Sequence, residues 1–236
     1  MSYKDHDQIP KVKENYVIWK YMNLPKFLDM ISNNTLYFNR IDCFEDVFEG
    51  HFPDYNKKHR GEIYNTSDNM NDAFERISNI ARHHSYVFCF HKNLYESAFM
   101  WKLYSGDTGV AIKSNIDRLK KALRKEEKNL YIANVEYIDY KKDFLPEGNL
   151  FYLSMFKRKS FESENELRVI YADFDDLNNL NTDKGVYIEC DLEQLLEEIY
   201  ISPYAPAYLV NDVKILLDKF GLGNVSVNFS DLLTMN

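Results

Sequence analysis

Glu164, Glu166 and Arg168 stand at every second residue, behind the basic cluster Lys157, Arg158 and Lys159 and just ahead of the run Val169-Ile170-Tyr171. Side chains alternate across a strand, so an extended backbone puts the three charges on one face and Leu167, Val169 and Tyr171 on the other. Carboxylates held on a rigid element beside a cleft are what proton transfer needs. The same pattern also fits a solvated strand face carrying cross-strand ion pairs, which contribute little. Both readings stand on spacing alone.

The elements that would position these residues can be read from period and punctuation. Tyr16 to Met22 reads as a strand. Asn23 then caps a short helix, LPKFLDMISN, with Pro25 in its first turn, and TLYFNRI follows as a second strand. Asp42 to Gly50 is a loop of acids and phenylalanines, and residues 51–67 show no period. Apolar residues at helical spacing predict a helix over 68–82, followed by the strand SYVFCFH. A short helix over Tyr95–Tyr104, a strand TGVAIKS, a basic-faced helix over 115–128 and a long strand LYIANVEYI come next. Beyond a loop, NLFYLSMF reads as a helix. The remainder is an Asn/Asp-rich loop over 175–184, strand GVYIEC, short helix LEQLLEE, strand EIYISP, helix AYLVNDVKILLDKF closed by Gly221, and strand NVSVNF.

Strands and short helices interleave without the steady alternation of a doubly wound sheet. The expected fold is α+β, with a mixed, largely antiparallel sheet and peripheral helices. Residues 1–15 are expected to be a loose segment and 16–236 a single domain.

A 236-residue chain with 16 Phe and 18 Tyr has ample material for a core. Its net charge of −8 disfavours indiscriminate binding to nucleic acid or anionic lipid. Cys43, Cys89 and Cys190 lie far apart without metal-ligand spacing, which suits a reducing cytosol. No signal-peptide core opens the chain, and no apolar run approaches the ~20 residues of a membrane span. A soluble cytoplasmic protein with no membrane partner is expected. There is no glycine-rich phosphate loop, HExxH or GxSxG. His83, His84 and His91 have no Cys or acidic partner at ligand spacing, so structural roles are expected and no metal.

Three stretches read together resemble an uncharacterised bacterial family, domain of unknown function 2971. They are YVIWKYMNLPKFLDMISNNTLYFNRIDCFEDVFEG, SYVFCFHKNLYESAFMWKLYSGDTGVAI, and KRKSFESENELRVIY with IYISPYAP behind it. A second resemblance concerns chemistry. The order of first strand, Asn-Leu-x-x-x-Leu helix, polar turn and Leu-aromatic strand is similar to the amino-terminal part of ADP-ribosyltransferase folds, especially the DNA-targeting toxins. Asn165-Glu166-Leu-Arg-Val-Ile-Tyr171 looks like the Asn-Glu-x-x-Val-x-Tyr strand of such folds. Glu164 and Glu166 look like the Glu-x-Glu of the arginine-modifying members. Two features depart from the pattern: Lys20-Tyr21 replaces the usual first-strand motif, and no Ser-Thr-Ser strand is present.

That resemblance implies NAD as substrate, a protein or nucleic-acid acceptor, and a setting in toxin or phage-defence systems. Breaking the nicotinamide–ribose bond passes through a cation-like sugar. Glu166 is the implied carboxylate beside that charge, and Glu164 would orient or deprotonate the acceptor. Lys20, Arg40 and Arg168 are candidates for the pyrophosphate, and Tyr21, Trp101 and Tyr104 for stacking on the nicotinamide. Each has a plainer role open to it. Lys20 snorkels to solvent, Trp101 packs in the core, and Arg168 pairs with Glu164 or Glu166. Arg40 is the hub of the acidic loop, which itself serves as a lid or a cation site. Two other functions remain open: a non-catalytic nucleotide- or protein-binding module, and a nucleic-acid-modifying enzyme using Lys157–Lys159 and helix 117–128 as a phosphate track.

Overall fold

The structure is a computed structural model that describes residues 4, 6–66, 69–174 and 182–233. Eleven strands are formed among them: β1 Val17–Met22, β2 Thr35–Arg40, β3 Ser85–Lys92, β4 Val110–Asn115, β5 Leu130–Asn134, β6 Glu136–Ile138, β7 Phe156–Arg158, β8 Glu166–Ala172, β9 Gly185–Glu189, β10 Glu198–Ile201 and β11 Ser226–Phe229. The helices are α1 Leu24–Asn33, α2 Asp54–Ile63, α3 Asn71–His84, the single turn α4 Ala98–Met100, α5 Ile116–Ala122, α6 Leu192–Leu195 and α7 Leu209–Lys219. The α+β class and the mixed, mostly antiparallel sheet are as expected: only β10–β11 and the separate β6–β7 pair run parallel.

The sheet turns on β3. Along one edge it pairs with β8 over seven residues, Ser85 opposite Ala172 through His91 opposite Glu166. The other edge is divided. β1 takes its far end, with Trp19 opposite His91, and β2 takes its near end, with Arg40 opposite Tyr86. Between those contacts Phe88, Cys89 and Phe90 have no strand on that side, so β1 and β2 diverge into two arms. One arm runs β1-β4-β10-β11 and the other β2-β9.

Alternation then sorts the residues into two layers. One face contributes Ile18, Met22, Phe88, Phe90, Leu167 and Val169 to the main core, covered by Phe27 and Ile31 of α1, Leu119 of α5, Leu195 of α6 and Val213 of α7. The opposite face carries two smaller apolar groups. Val87, Ile170 and Ala133 pack with Ala81 of α3 and Leu153, while Trp19, Tyr21 and Ala111 pack with Met100 and Trp101. His91, Glu166 and Arg168 belong to this second face.

Several elements depart from expectation. Residues 51–67 were expected to be irregular, yet they contain α2, held by tertiary contacts its sequence period cannot show. Buried Asn56 bonds both the N–H and the carbonyl of Leu145, at 2.9 and 2.7 Å. Arg60 forms a buried ion pair with Glu147 at 2.5 Å, its guanidinium over Phe74. The expected long strand 130–138 breaks after Asn134, because β5 pairs with β8 and β6 with β7. The helix expected over 115–128 ends at Ala122. The helix expected over 149–156 is a 3-10 turn, Leu150–Ser154. Asp68, at the start of the helix expected over 68–82, residues 175–181 of the Asn/Asp-rich loop, and residues 1–3 and 5 lie outside the described residues.

Candidate functional site

The pattern of alternate charges holds for Glu166 and Arg168, both on β8, but Glu164 lies outside the strand. Residues Lys159–Glu164 form a 3-10 helix, and Asn165 reverses the chain with φ of 37°, its side-chain amide donating to the Lys92 carbonyl. Asparagine tolerates this left-handed conformation better than most residues. The turn folds Glu164 back so that its carboxyl still meets that of Glu166. Shared alternation is corrected, while the adjacency is retained by a different route.

Lys157, on β7, joins the two acids. Its ammonium donates to Glu164 Oε2 at 2.6 Å and Glu166 Oε1 at 2.9 Å. Arg168 takes the other Glu166 oxygen, Nε to Oε2 at 2.7 Å, and donates through Nη1 to the Ser154 carbonyl at 2.9 Å. The acidic loop supplies a fifth member. Glu49, 1% exposed, is 2.6 Å from Arg168 Nη1 and 3.9 Å from Lys157 Nζ, with neither carboxylate oxygen in hydrogen-bond alignment. Tyr137 accepts the Glu166 N–H at 2.8 Å.

Three carboxyls face two cations here, and burial decides where the protons sit. Burial opposes the charge of Glu166, but Arg168, Glu164 and Lys157 outweigh it and hold the carboxyl well below the ordinary range. Burial likewise opposes Arg168, and Glu166 with Glu49 overcomes it and holds the guanidinium charged. Glu164 lacks such compensation. Burial, the hydrogen bond with Glu166 and the charge of Glu166 push it up to about 7, with Lys157 opposing. Two neighbouring carboxyls are thus driven apart, one fixed as an anion and one poised to exchange a proton at neutral pH. Of the two, Glu164 is the first to take up a proton as pH falls.

Tyr104, 44% exposed, lies within electrostatic reach of the pair: its phenol is raised by burial and by the charges of Glu164 and Glu166. It comes from Trp101–Ser105, a five-residue π-helical turn where a short α-helix was expected. Such turns are rare and are frequently found at functional sites. Gly109 lets this segment lie on β1, since a Cβ there would stand 2.3 Å from the Ser105 carbonyl oxygen and 2.6 Å from that of Met22.

The other candidates divide. Tyr21 lies on the same sheet face as Glu166, its ring edge-on to Trp101 at 5.1 Å and to His91 at 6.2 Å. Trp101 is fully buried in that aromatic group, with Nε1 donating to Glu96 at 2.8 Å. Lys20 follows the opposite face, as its place between Ile18 and Met22 requires. Its ammonium donates to the Cys89 carbonyl at 2.9 Å, in the gap where β1 and β2 diverge, and sits 4.4 Å from the Phe88 ring centre. Lys20 therefore caps a main-chain acceptor rather than opening to a cleft beside Tyr21. Arg40 chelates Asp42 at 2.6 and 3.0 Å and reaches the Asp183 carbonyl, so it anchors the acidic loop.

The basic segments are also engaged. Arg158 holds Asp46 at 2.7 Å, Lys121 pairs with Asp117 at 2.6 Å, and Arg118 bonds the Glu193 and Leu196 carbonyls. Sequence reasoning missed Glu49 and Lys157 as members of the cluster. Glu49 is 115 residues from Glu164 by their positions, and only the tertiary fold brings them together. His91 carried a signal, alternation within SYVFCFH, that places it beside Glu166 once β3 and β8 are paired.

Sheet and cluster define an α+β protein with a pair of interacting carboxyls mounted where its central strands meet. Residues 100–169 match the model of a family described as Protein of unknown function (DUF2971), the family that the sequence resembles. The matched segment takes in Trp101, Tyr104, Lys157, Glu164, Glu166 and Arg168. No curated protein matches the chain. Among the described residues no group of His, Cys, Asp and Glu is arranged to hold a metal, and no helix is long and apolar enough to cross a membrane.

Proposed function

We propose that the carboxyl pair performs acid–base chemistry in an ADP-ribosyltransferase-like reaction on NAD. The observation that carries this reading is the split between Glu166, held as an anion, and Glu164, poised near neutrality. In the proposed reaction the bond between ribose C1′ and the nicotinamide nitrogen breaks, and nicotinamide leaves with the electron pair. The acceptor's oxygen or nitrogen bonds to C1′, and its proton passes to the ionised form of Glu164, which a carboxyl raised to about 7 still populates at neutral pH. Glu166 supplies a fixed negative charge near the cation-like sugar. Lys157 and Arg168 keep Glu166 ionised.

Incubation with NAD tests this directly. Nicotinamide release is expected from the wild type and is expected to fall by at least a hundredfold in Glu164→Gln, in line with the ~10²–10⁴-fold contribution of a positioned proton-transfer group. Intact NAD after prolonged incubation with folded wild type would overturn the proposal. A second reading, nucleotide or protein binding without turnover, is favoured by one observation: Lys20, Arg40 and Arg168 are all committed to partners within the fold. Binding of NAD with no nicotinamide released would select it.

A further inference from the structure

His91 is buried at 5% exposure on β3, directly opposite Glu166 of β8 and Trp19 of β1. Its Nδ1 lies 2.7 Å from the main-chain carbonyl oxygen of Glu164. A carbonyl only accepts, so Nδ1 carries the proton and Nε2 carries the lone pair. That Nε2 is buried with no hydrogen-bond partner. Folding does not ordinarily leave a buried acceptor unmatched, and one that persists calls for an occupant or a role. Burial lowers the imidazole's proton affinity, although the bond to the Glu164 carbonyl opposes this, so the ring is neutral at physiological pH.

The groups around this ring make it part of the carboxyl site. Tyr21, edge-on to His91, packs in turn against Trp101, and the tyrosine hydroxyl is occupied by the Ser97 N–H at 2.8 Å. Cys89, two residues earlier on the same face, is a neutral thiol, pushed up to about 12 by burial and by Glu166. Glu166 has both oxygens occupied by Lys157 and Arg168. Glu166 is held without a proton to donate, the Tyr21 O–H makes no hydrogen bond to the imidazole, and Nε2 remains an unfilled acceptor.

We infer that His91 is a ligand-binding residue of this site, accepting through Nε2 a hydrogen bond from a hydroxyl or amide N–H of the bound molecule. With NAD as ligand, a ribose hydroxyl or the nicotinamide carboxamide supplies that donor; in this form the inference rests on the function proposed above. The Nδ1 bond to Glu164 then has a second consequence. One side chain both contacts the ligand and fixes the main chain that carries the proton-transferring carboxyl.

The test is nitrogen NMR on the full chain with ¹⁵N-labelled histidine, titrated with NAD, together with His91→Asn. Asparagine keeps a donor near the Nδ1 position and removes Nε2. In the free wild type His91 is expected to show a protonated Nδ1 and a bare Nε2. NAD is expected to move the Nε2 signal upfield, and His91→Asn to bind NAD about tenfold more weakly at an unchanged unfolding midpoint. NAD binding that moves other resonances but leaves Nε2 in place would overturn the inference and spare the proposed function. Should NAD move no resonance of the wild type, the function and the inference fall together. If His91→Asn does not fold, the wild-type titration alone decides.

Discussion

Replacing Glu164 by glutamine isolates the energetic signature of the carboxyl pair. A glutamate raised from its ordinary value of 4.5 to about 7 binds its proton more tightly in the folded than in the unfolded chain. Its contribution to stability is therefore full below the unfolded value and is lost as pH rises through the folded one. Glu166, held low, behaves oppositely: its contribution is present above the unfolded value and disappears only in strong acid. Between about pH 5 and pH 8.5, Glu164 therefore sets the trend of the pair. At ~1.4 kcal/mol for each tenfold gain in proton affinity this rise sets an upper bound of about 3.5 kcal/mol, and solvent screening reduces the expected loss to about 2 kcal/mol. Glutamine stays neutral throughout, so Glu164→Gln is expected to match the wild type at about pH 5 and exceed it by about 2 kcal/mol at about pH 8.5. Urea denaturation of both proteins across this range measures the difference, and the contributions of His51 and His91 cancel between them. Parallel stability profiles would refute the raised proton affinity assigned to Glu164.

Three further outcomes follow from the packing. Arg168→Met leaves Glu49 and Glu166 buried without their cation and is expected to cost about 3–5 kcal/mol in urea denaturation. Arg60→Ala removes the partner of buried Glu147 and is expected to release α2, seen as faster amide exchange over Asp54–Ile63 while β3 and β8 stay protected. Gly109→Ala forces a Cβ against two main-chain carbonyls and is expected to cost about 1–3 kcal/mol, with altered tryptophan fluorescence from Trp101.

How much of this was legible beforehand depended on whether a feature is set locally. Asn23 capping Lys26 N–H at 3.0 Å, the positive φ of 76° at Gly221 after α7, and the strand at 85–92 all follow from residues within a few positions of each other. The resemblance to domain of unknown function 2971, read from the sequence, is shown over residues 100–169. The charge pattern on β8 was visible too, but its meaning was not. Alternation assigned Glu164 to the strand, and the left-handed Asn165 that turns it back has no signature beyond an asparagine between two glutamates. Lys157 read as one of three basic residues of a phosphate track, because its burial depends on β7 lying beside the two acids. Lys20 and Tyr21 are neighbours in sequence, and for that reason a strand sends them to opposite faces; the split of the sheet around β3 then gives each a different task. Helix α2 shows the converse, a polar segment whose order comes from Asn56 and Arg60 bonding to chain nearly ninety residues away.

The central claim is that two adjacent carboxyls titrate at widely separated pH, Glu164 near neutrality and Glu166 far below it. Carbon-13 NMR of the glutamate side-chain carboxyls, followed through a pH titration and assigned with Glu164→Gln and Glu166→Gln, reads this without assuming any substrate. Glu164 is expected to titrate near pH 7, with Glu166 remaining ionised far into the acid range. Two carboxyls titrating together at about pH 4.5, as ordinary glutamates do, would contradict the account.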